Sequence, residues 1–278
     1  MKVDVRHASH PEAVRGYDTD TLRHHFLVES VFEGGEIRLT YSHYDRMVIG
    51  GAMPLGSALE LTAPKAIGQD TFLAERELAA LNIGGAGRMV VGGKAYDLAK
   101  YDCLYVGKGT IDLFFESDDV NNPAKFYLVS TPAHQSHPTV LLTREQARHL
   151  TFGEATTANK RSIYQFIHPE VCQSCQLTMG LTILEPGSIW NTMPSHIHDR
   201  RMEAYLYFDL DADQRVFHFM GEPQETRHML LANEQAIISP PWSIHSGAGT
   251  KNYSFIWAMA GDNKSFTDMD HIAIADLR

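Results

Sequence analysis

His196-Ile197-His198-Asp199-Arg200-Arg201-Met202-Glu203-Ala204-Tyr205-Leu206-Tyr207-Phe208 is the stretch that decides both the fold class and the chemistry of this chain. In a β-strand, residues two apart share a face, so His196 and His198 reach one point together while Ile197 turns into apolar packing. A short charged turn follows. Glu203 then opens a run of alternating and aromatic residues that reads as the next strand. A further histidine, His245, stands behind the turn Pro240-Pro241-Trp242-Ser243-Ile244. Imidazole nitrogen and carboxylate oxygen are the ligands that a borderline divalent ion takes. The spacing therefore points to a metal held by His196, His198, Glu203 and His245.

The pattern has to be weighed against chance, because the chain has 15 histidines. His43, His134, His137, His218 and His228 are ordinary strand or turn residues by context, and an isolated H-x-H pair is weak evidence. The glutamate at this offset and the histidine behind a proline-rich turn make the constellation specific.

Working outward, strand signals dominate. Residues 36–41, 46–50, 88–92, 102–106, 111–115, 125–130, 177–184, 215–219 and 253–258 are short β-branched or aromatic runs, with Gly, Pro, Asn and Asp between them. That is the pattern of an all-β sandwich or barrel. Helical patterns are few: Pro11–Arg15, Asp18–Phe26, Phe72–Leu78 and Thr143–His149, the last with Thr143 and Gln146 spaced as a capping box. A weak internal repeat relates Tyr96–Gly107 and Lys125–Ser130 to Met229–Pro240 and Tyr253–Ala258. Two barrels in tandem account for it, with a boundary in the small, polar segment Thr151–Asn159. The expected division is an N-terminal barrel over 1–155, lacking paired ligands and hence metal, and a metal-binding barrel over 156–278.

The formal net charge of −10 argues against nucleic-acid or anionic-membrane binding as the main role. No apolar run is long enough for a membrane span, and the first residues carry charges where a secretory segment is apolar. A cytoplasmic protein is the expectation. The three cysteines, Cys103, Cys172 and Cys175, fit a reducing compartment. Cys172-Gln173-Ser174-Cys175 lacks a second pair for zinc and the context of a redox motif, so it is read as two packed thiols.

The H-x-H-x4-E string followed by P-x4-H resembles the two motifs of the cupin superfamily of jelly-roll barrels. Gly187, Leu210 and Trp242 depart from its glycine positions in the loops; the ligands match. Longer segments resemble one bacterial family, the 5-keto-4-deoxyuronate isomerases of pectin breakdown: Arg6–Pro11, Gly50–Pro54, Lys160–Pro169, Met193–Tyr205 and Pro240–His245. The resemblance covers essentially the whole chain. It implies tandem cupin (bicupin) barrels with a few short helices, one zinc ion per chain on His196, His198, Glu203 and His245, a homohexamer, and a small-molecule deoxyuronate substrate.

Aldose–ketose isomerisation suits such a site, because a divalent ion on two adjacent oxygens stabilises an enediolate. By ligand type alone Mn, Fe, Co or Ni would serve as well as zinc. Catalytic candidates are Tyr205 and Tyr207, which share the face of Glu203, and Arg161; His218 and Gln176 are polar strand residues of unsettled facing. Lys160 and Arg161 are candidates for the substrate carboxylate. Competing readings are a mononuclear dioxygenase or sugar-phosphate isomerase on the same fold, and a non-enzymatic sugar sensor.

Overall fold

A computed structural model describes residues 1–278. The protein is all-β: two seven-stranded and two four-stranded sheets carry the fold, with one helix of two turns at Thr19–Phe26. Asp18 caps that helix, its carboxylate accepting from the Thr21 N–H at 2.8 Å.

The two sheet pairs repeat one plan. The first large sheet runs Lys2–Arg6, Glu36–Ser42, Val48–Met53, Phe126–Pro132, Arg76–Asn82, Cys103–Val106, Val140–Leu142. The second runs Arg148–Phe152, Arg161–Ile167, Thr178–Leu184, Ser254–Gly261, Arg201–Phe208, Gln235–Ser239, Leu27–Val28. Each has a four-stranded companion: Leu59–Glu60, Leu113–Ser117, Gly87–Val91, Lys94–Leu98 in one case, and Trp190–Asn191, Ser246–Gly249, Val216–Glu222, Glu225–Leu231 in the other. The faint repeat in the sequence is thus a repeat of strand order, the doubled jelly roll of a bicupin.

The registers make the repeat residue-specific. Leu78 pairs with Ser130 on one side and Val106 on the other. Glu203 pairs with Met259 and Ser239 in the same way. Arg76 and Arg201 therefore hold equivalent positions, as do Leu78 and Glu203, and Ala80 and Tyr205. In the first barrel the inward face is apolar: Leu78, Ala80, Leu104, Val106, Phe115, Phe126 and Leu128 belong to one buried cluster. Burying each large side chain of this kind contributes about 1.5–3 kcal/mol. A glutamate and two tyrosines replace that filling in the second barrel.

The compact units are interleaved in sequence. One comprises Met1–Arg6, Ser30–Arg148 and Gln165–Met179; the other comprises His7–Glu29, His149–Tyr164 and Gly180–Arg278. Relative to a single cut after residue 155, residues 7–29, 149–155 and 165–179 change sides. For the first and last of these the causes are local. Leu27–Val28 pairs with the strand Gln235–Ser239, and the backbone N–H groups of Cys175, Gln176 and Leu177 all donate to the buried Glu77 carboxylate, at 2.7–2.9 Å.

Two helical expectations are corrected. Phe72–Leu78 is a turn leading into the strand Arg76–Asn82; burial of both faces in mid-sheet overrides its helical propensity. Thr143–His149 yields only a 3-10 turn at Arg144–Gln146, with the capping box formed, before the strand Arg148–Phe152.

Candidate metal centre

The strand Arg201–Phe208 is buried along its whole length and lies between Ser254–Gly261 and Gln235–Ser239. Alternation sends Glu203, Tyr205 and Tyr207 to one face. The preceding histidines come from a shorter element than the sequence suggests. Only His196–Ile197 is strand, bridged to Asp270–His271, and His198 sits at its end before the turn. The two imidazoles still converge. His245 arrives from the Pro240–Ile244 turn.

The donor atoms of His196, His198, Glu203 and His245 lie within 4.8 Å of one another, and all four residues are buried. Glu203 Oε2 is 3.2 Å from His198 Nε2 and 2.9 Å from His245 Nε2. His245 Nε2 is 2.9 Å from His196 Nε2. Ligands about 2 Å from a shared ion lie roughly 3 Å or slightly more apart, so the constellation fits a divalent cation. The protonation of two of the ligands fits as well. Burial, helped by His245, keeps His196 well below the usual histidine range, hence neutral with a free lone pair. Burial opposes the charge on Glu203, but His245 and His198 outweigh it and hold the carboxyl well below its ordinary range. The His198 Nδ1–H donates to the Arg201 carbonyl oxygen at 2.9 Å, which presents Nε2 to the centre.

Around the ligands lies an aromatic and polar wall. Tyr205 is 2 % exposed, and its ring stands edge-on to His245 at 5.7 Å between centroids. Its hydroxyl has only a long contact, 3.4 Å, to Thr192 Oγ1. The Tyr207 hydroxyl is instead engaged: it lies 2.8 Å from His218 Nδ1 and 3.4 Å from Asn191 Nδ2. His218 faces inward and is fully buried, and burial pushes it down to about 3. Its Nε2, Asn191 Oδ1 and Ser239 Oγ are enclosed without partners.

The remaining sequence candidates are distributed unevenly. Arg161 is half-buried near the phenols of Tyr205 and Tyr253, and its Nη1 donates to the Asn159 carbonyl. Lys160 is exposed. Gln176 belongs to the other unit, where its Nε2 donates to the Pro132 carbonyl. Sequence reasoning missed His271, directly across from His196, and the segment that carries it. Arg200 there grips Asp268 at 3.0 and 2.6 Å and Asp270 at 3.0 Å. No motif marks these residues, because their partners lie about seventy positions away. Arg201 was also passed over, as part of a charged turn, yet it is 1 % exposed.

The KduI/IolB family profile matches residues 26–274. The chain belongs to this family. A relative from Shouchella clausii is 55% identical over 276 residues, covering 99% of this chain and 100% of the relative. One from Halalkalibacterium halodurans is 56% identical with the same coverage. Both are named 4-deoxy-L-threo-5-hexosulose-uronate ketol-isomerase. At this likeness over the full length, the family member described here is an enzyme, an intramolecular oxidoreductase of the ketol-isomerase type. Among solved structures, an IolB-like protein from Salmonella typhimurium superposes with a TM-score of 0.70 at 14% identity, over 89% of this chain and 96% of that one. Bacillus subtilis oxalate decarboxylase, described with Mn(II) centres, gives a TM-score of 0.54 at 10% identity over 79% and 70%. These two likenesses concern the fold.

Proposed function

We propose that the protein converts 4-deoxy-L-threo-5-hexosulose uronate to 3-deoxy-D-glycero-2,5-hexodiulosonate at a metal centre, in the breakdown of pectin and related polyuronates. The observation that carries this is the intact four-ligand cluster inside a chain alike over its full length to relatives of that name. His196, His198, Glu203 and His245 would hold one ion, zinc by the resemblance. A bound divalent ion supplies Lewis-acid stabilisation of negative charge on two neighbouring substrate oxygens. The protein's own part is to orient the substrate and move a proton between adjacent carbons.

Of the two strand tyrosines, Tyr205 fits that part better. Its hydroxyl is nearly unengaged, whereas that of Tyr207 is bound to His218. Burial, reinforced by Glu203, raises the Tyr205 phenol well above its ordinary range, so it acts as a proton donor to a substrate oxygen rather than as a base. The Tyr207–His218–Asn191 chain holds the wall in place. Assembly into a homohexamer and a cytoplasmic location complete the proposal; no helix is long and apolar enough to cross a membrane.

The test is NMR of the purified protein with the deoxyuronate, alongside metal analysis. Conversion to the ketose form, lost on chelation and regained on adding the ion, is the expected result. Dioxygen uptake in place of isomerisation would overturn the reading.

A further inference from the structure

Arg201 carries a charge that the second barrel buries and leaves partly unanswered. Its Nη2 donates to the Asp268 carbonyl oxygen at 2.8 Å, while Nε and Nη1 are enclosed with no hydrogen-bond partner. The first barrel provides an internal comparison. At the equivalent position Arg76 is also buried, 4 % exposed. There Nε donates to Ser130 Oγ at 3.0 Å, and Nη2 donates to the carbonyl oxygens of Arg46 and Ser130 at 2.7 and 2.8 Å. The residue equivalent to Ser130 in the second barrel is Met259, by the registers above. A thioether is a poor acceptor. The same buried guanidinium is therefore satisfied by its own barrel in one copy and short of acceptors in the other.

Its setting defines what would satisfy it. Arg201 shares the strand face of Glu203, two residues on, so the guanidinium stands beside the ligand cluster. Glu203 itself is committed to His198 and His245. The neighbouring Arg200 is already paired with Asp268 and Asp270. Arg161 is only half-buried, so water reaches it, and Lys160 is exposed. A buried, under-partnered guanidinium with planar donors selects an anion that accepts through two oxygens, which is a carboxylate.

We propose that Arg201 is the carboxylate anchor of the metal site, its unused N–H groups binding the acid end of the substrate while the opposite, carbonyl end meets the metal ligands. This rests on the uronate-isomerase reading above. It replaces the Lys160–Arg161 pair as the anion-binding element and explains how a chain of net charge −10 holds an anionic substrate.

The test compares kcat/KM for the deoxyuronate with that for its analogue bearing hydroxymethyl in place of the carboxylate. Both are read in the same preparation, with metal content measured. Because a ratio is taken, loss of folded protein cancels. Wild type is expected to favour the uronate. Arg201→Gln is expected to reduce that preference by roughly 10- to 100-fold, mainly through KM, with metal retained. Arg201→Lys, which keeps the charge but not the fork, should fall between. A wild-type ratio in Arg201→Gln overturns the anchor. If Arg201→Gln is insoluble, a wild-type ratio in Arg201→Lys overturns it equally. Wild type turning over neither compound sinks the isomerase reading instead, a separate outcome.

Discussion

The Nδ1 of His198 lies 2.9 Å from the carbonyl oxygen of Arg201, three residues on in the chain. That bond ties a ligand histidine to the first residue of the strand that carries Glu203. Two of the four ligands are thus fixed relative to each other by backbone geometry and not by side-chain packing alone. The other two come from the short strand pairing His196–Ile197 with Asp270–His271 and from the turn that precedes His245.

Removing the tied ligand should empty the site and spare the barrel. His198→Ala is expected to purify with metal well below one equivalent per chain, at a thermal midpoint close to that of wild type stripped of its ion. Apolar packing of the strands dominates the fold, so the ligand contributes little beyond the ion it holds. Elemental analysis with circular dichroism checks this; full metal occupancy in the variant would remove His198 from the ligand set.

The segment carrying Asp268 should govern how tightly the ion is kept. Arg200 binds its carboxylate through two nitrogens, and the Asp262 N–H donates to the Arg200 carbonyl at 2.9 Å. Asp268→Asn weakens that clamp on the loop between the histidines and Glu203. Metal transfer to a chelator should then be faster by roughly tenfold, as is usual when a group behind the ligands is altered. An unchanged transfer rate would show that the clamp does not reach the centre.

Glu77 should matter more for stability than the cysteines beside it. Fully buried, its carboxylate accepts from the N–H groups of Cys175, Gln176 and Leu177 and from the hydroxyls of Tyr105 and Thr131. Glu77→Ala would strand all five donors and is expected to cost at least about 3 kcal/mol in urea unfolding. Replacing Cys172 and Cys175 together by Ser should leave turnover nearly unchanged, since the loop is held by its backbone. Abolished turnover in a folded double variant would show a role for the thiols.

Gly180 should not accept even a methyl group. A Cβ there would stand 2.3 Å from Trp257 Cζ2 and 2.8 Å from the Tyr164 carbonyl oxygen. Gly180→Ala is expected to destabilise by about 1–3 kcal/mol and to lower kcat by displacing Trp257, which pairs with Tyr205. Wild-type stability and kinetics would mean the neighbours yield without cost.

Turnover in deuterated water separates two routes for the hydrogen. Proton abstraction by an exchanging group puts deuterium on the carbon that receives it. A direct hydride shift leaves that carbon unlabelled. Label in the product is expected, with Glu203→Gln slowing turnover more than it lowers the thermal midpoint.

Much of this protein is written locally. Alternation in Glu203–Phe208, the spacing of His196 and His198, and His245 behind two prolines fix a β-rich fold and a four-ligand cluster, because strand periodicity and ligand chemistry act over a few residues. The repeat of strand order is also legible, though faint, since equivalent strands share only their apolar pattern. Other features depend on distant pairings. The exchange of residues 7–29 and 165–179 between units follows from a two-residue strand pairing and from one buried carboxylate, neither of which leaves a motif. The helix expected at Phe72–Leu78 gives way to sheet because burial on both faces outweighs propensity. The clamp of Asp268 on Arg200 spans a gap that no local pattern bridges. Most telling is Arg201: in sequence it is one of two arginines in a charged turn, and only the fold, by burying it with Met259 at the position where its counterpart Arg76 finds Ser130, makes it a cation in need of an anion.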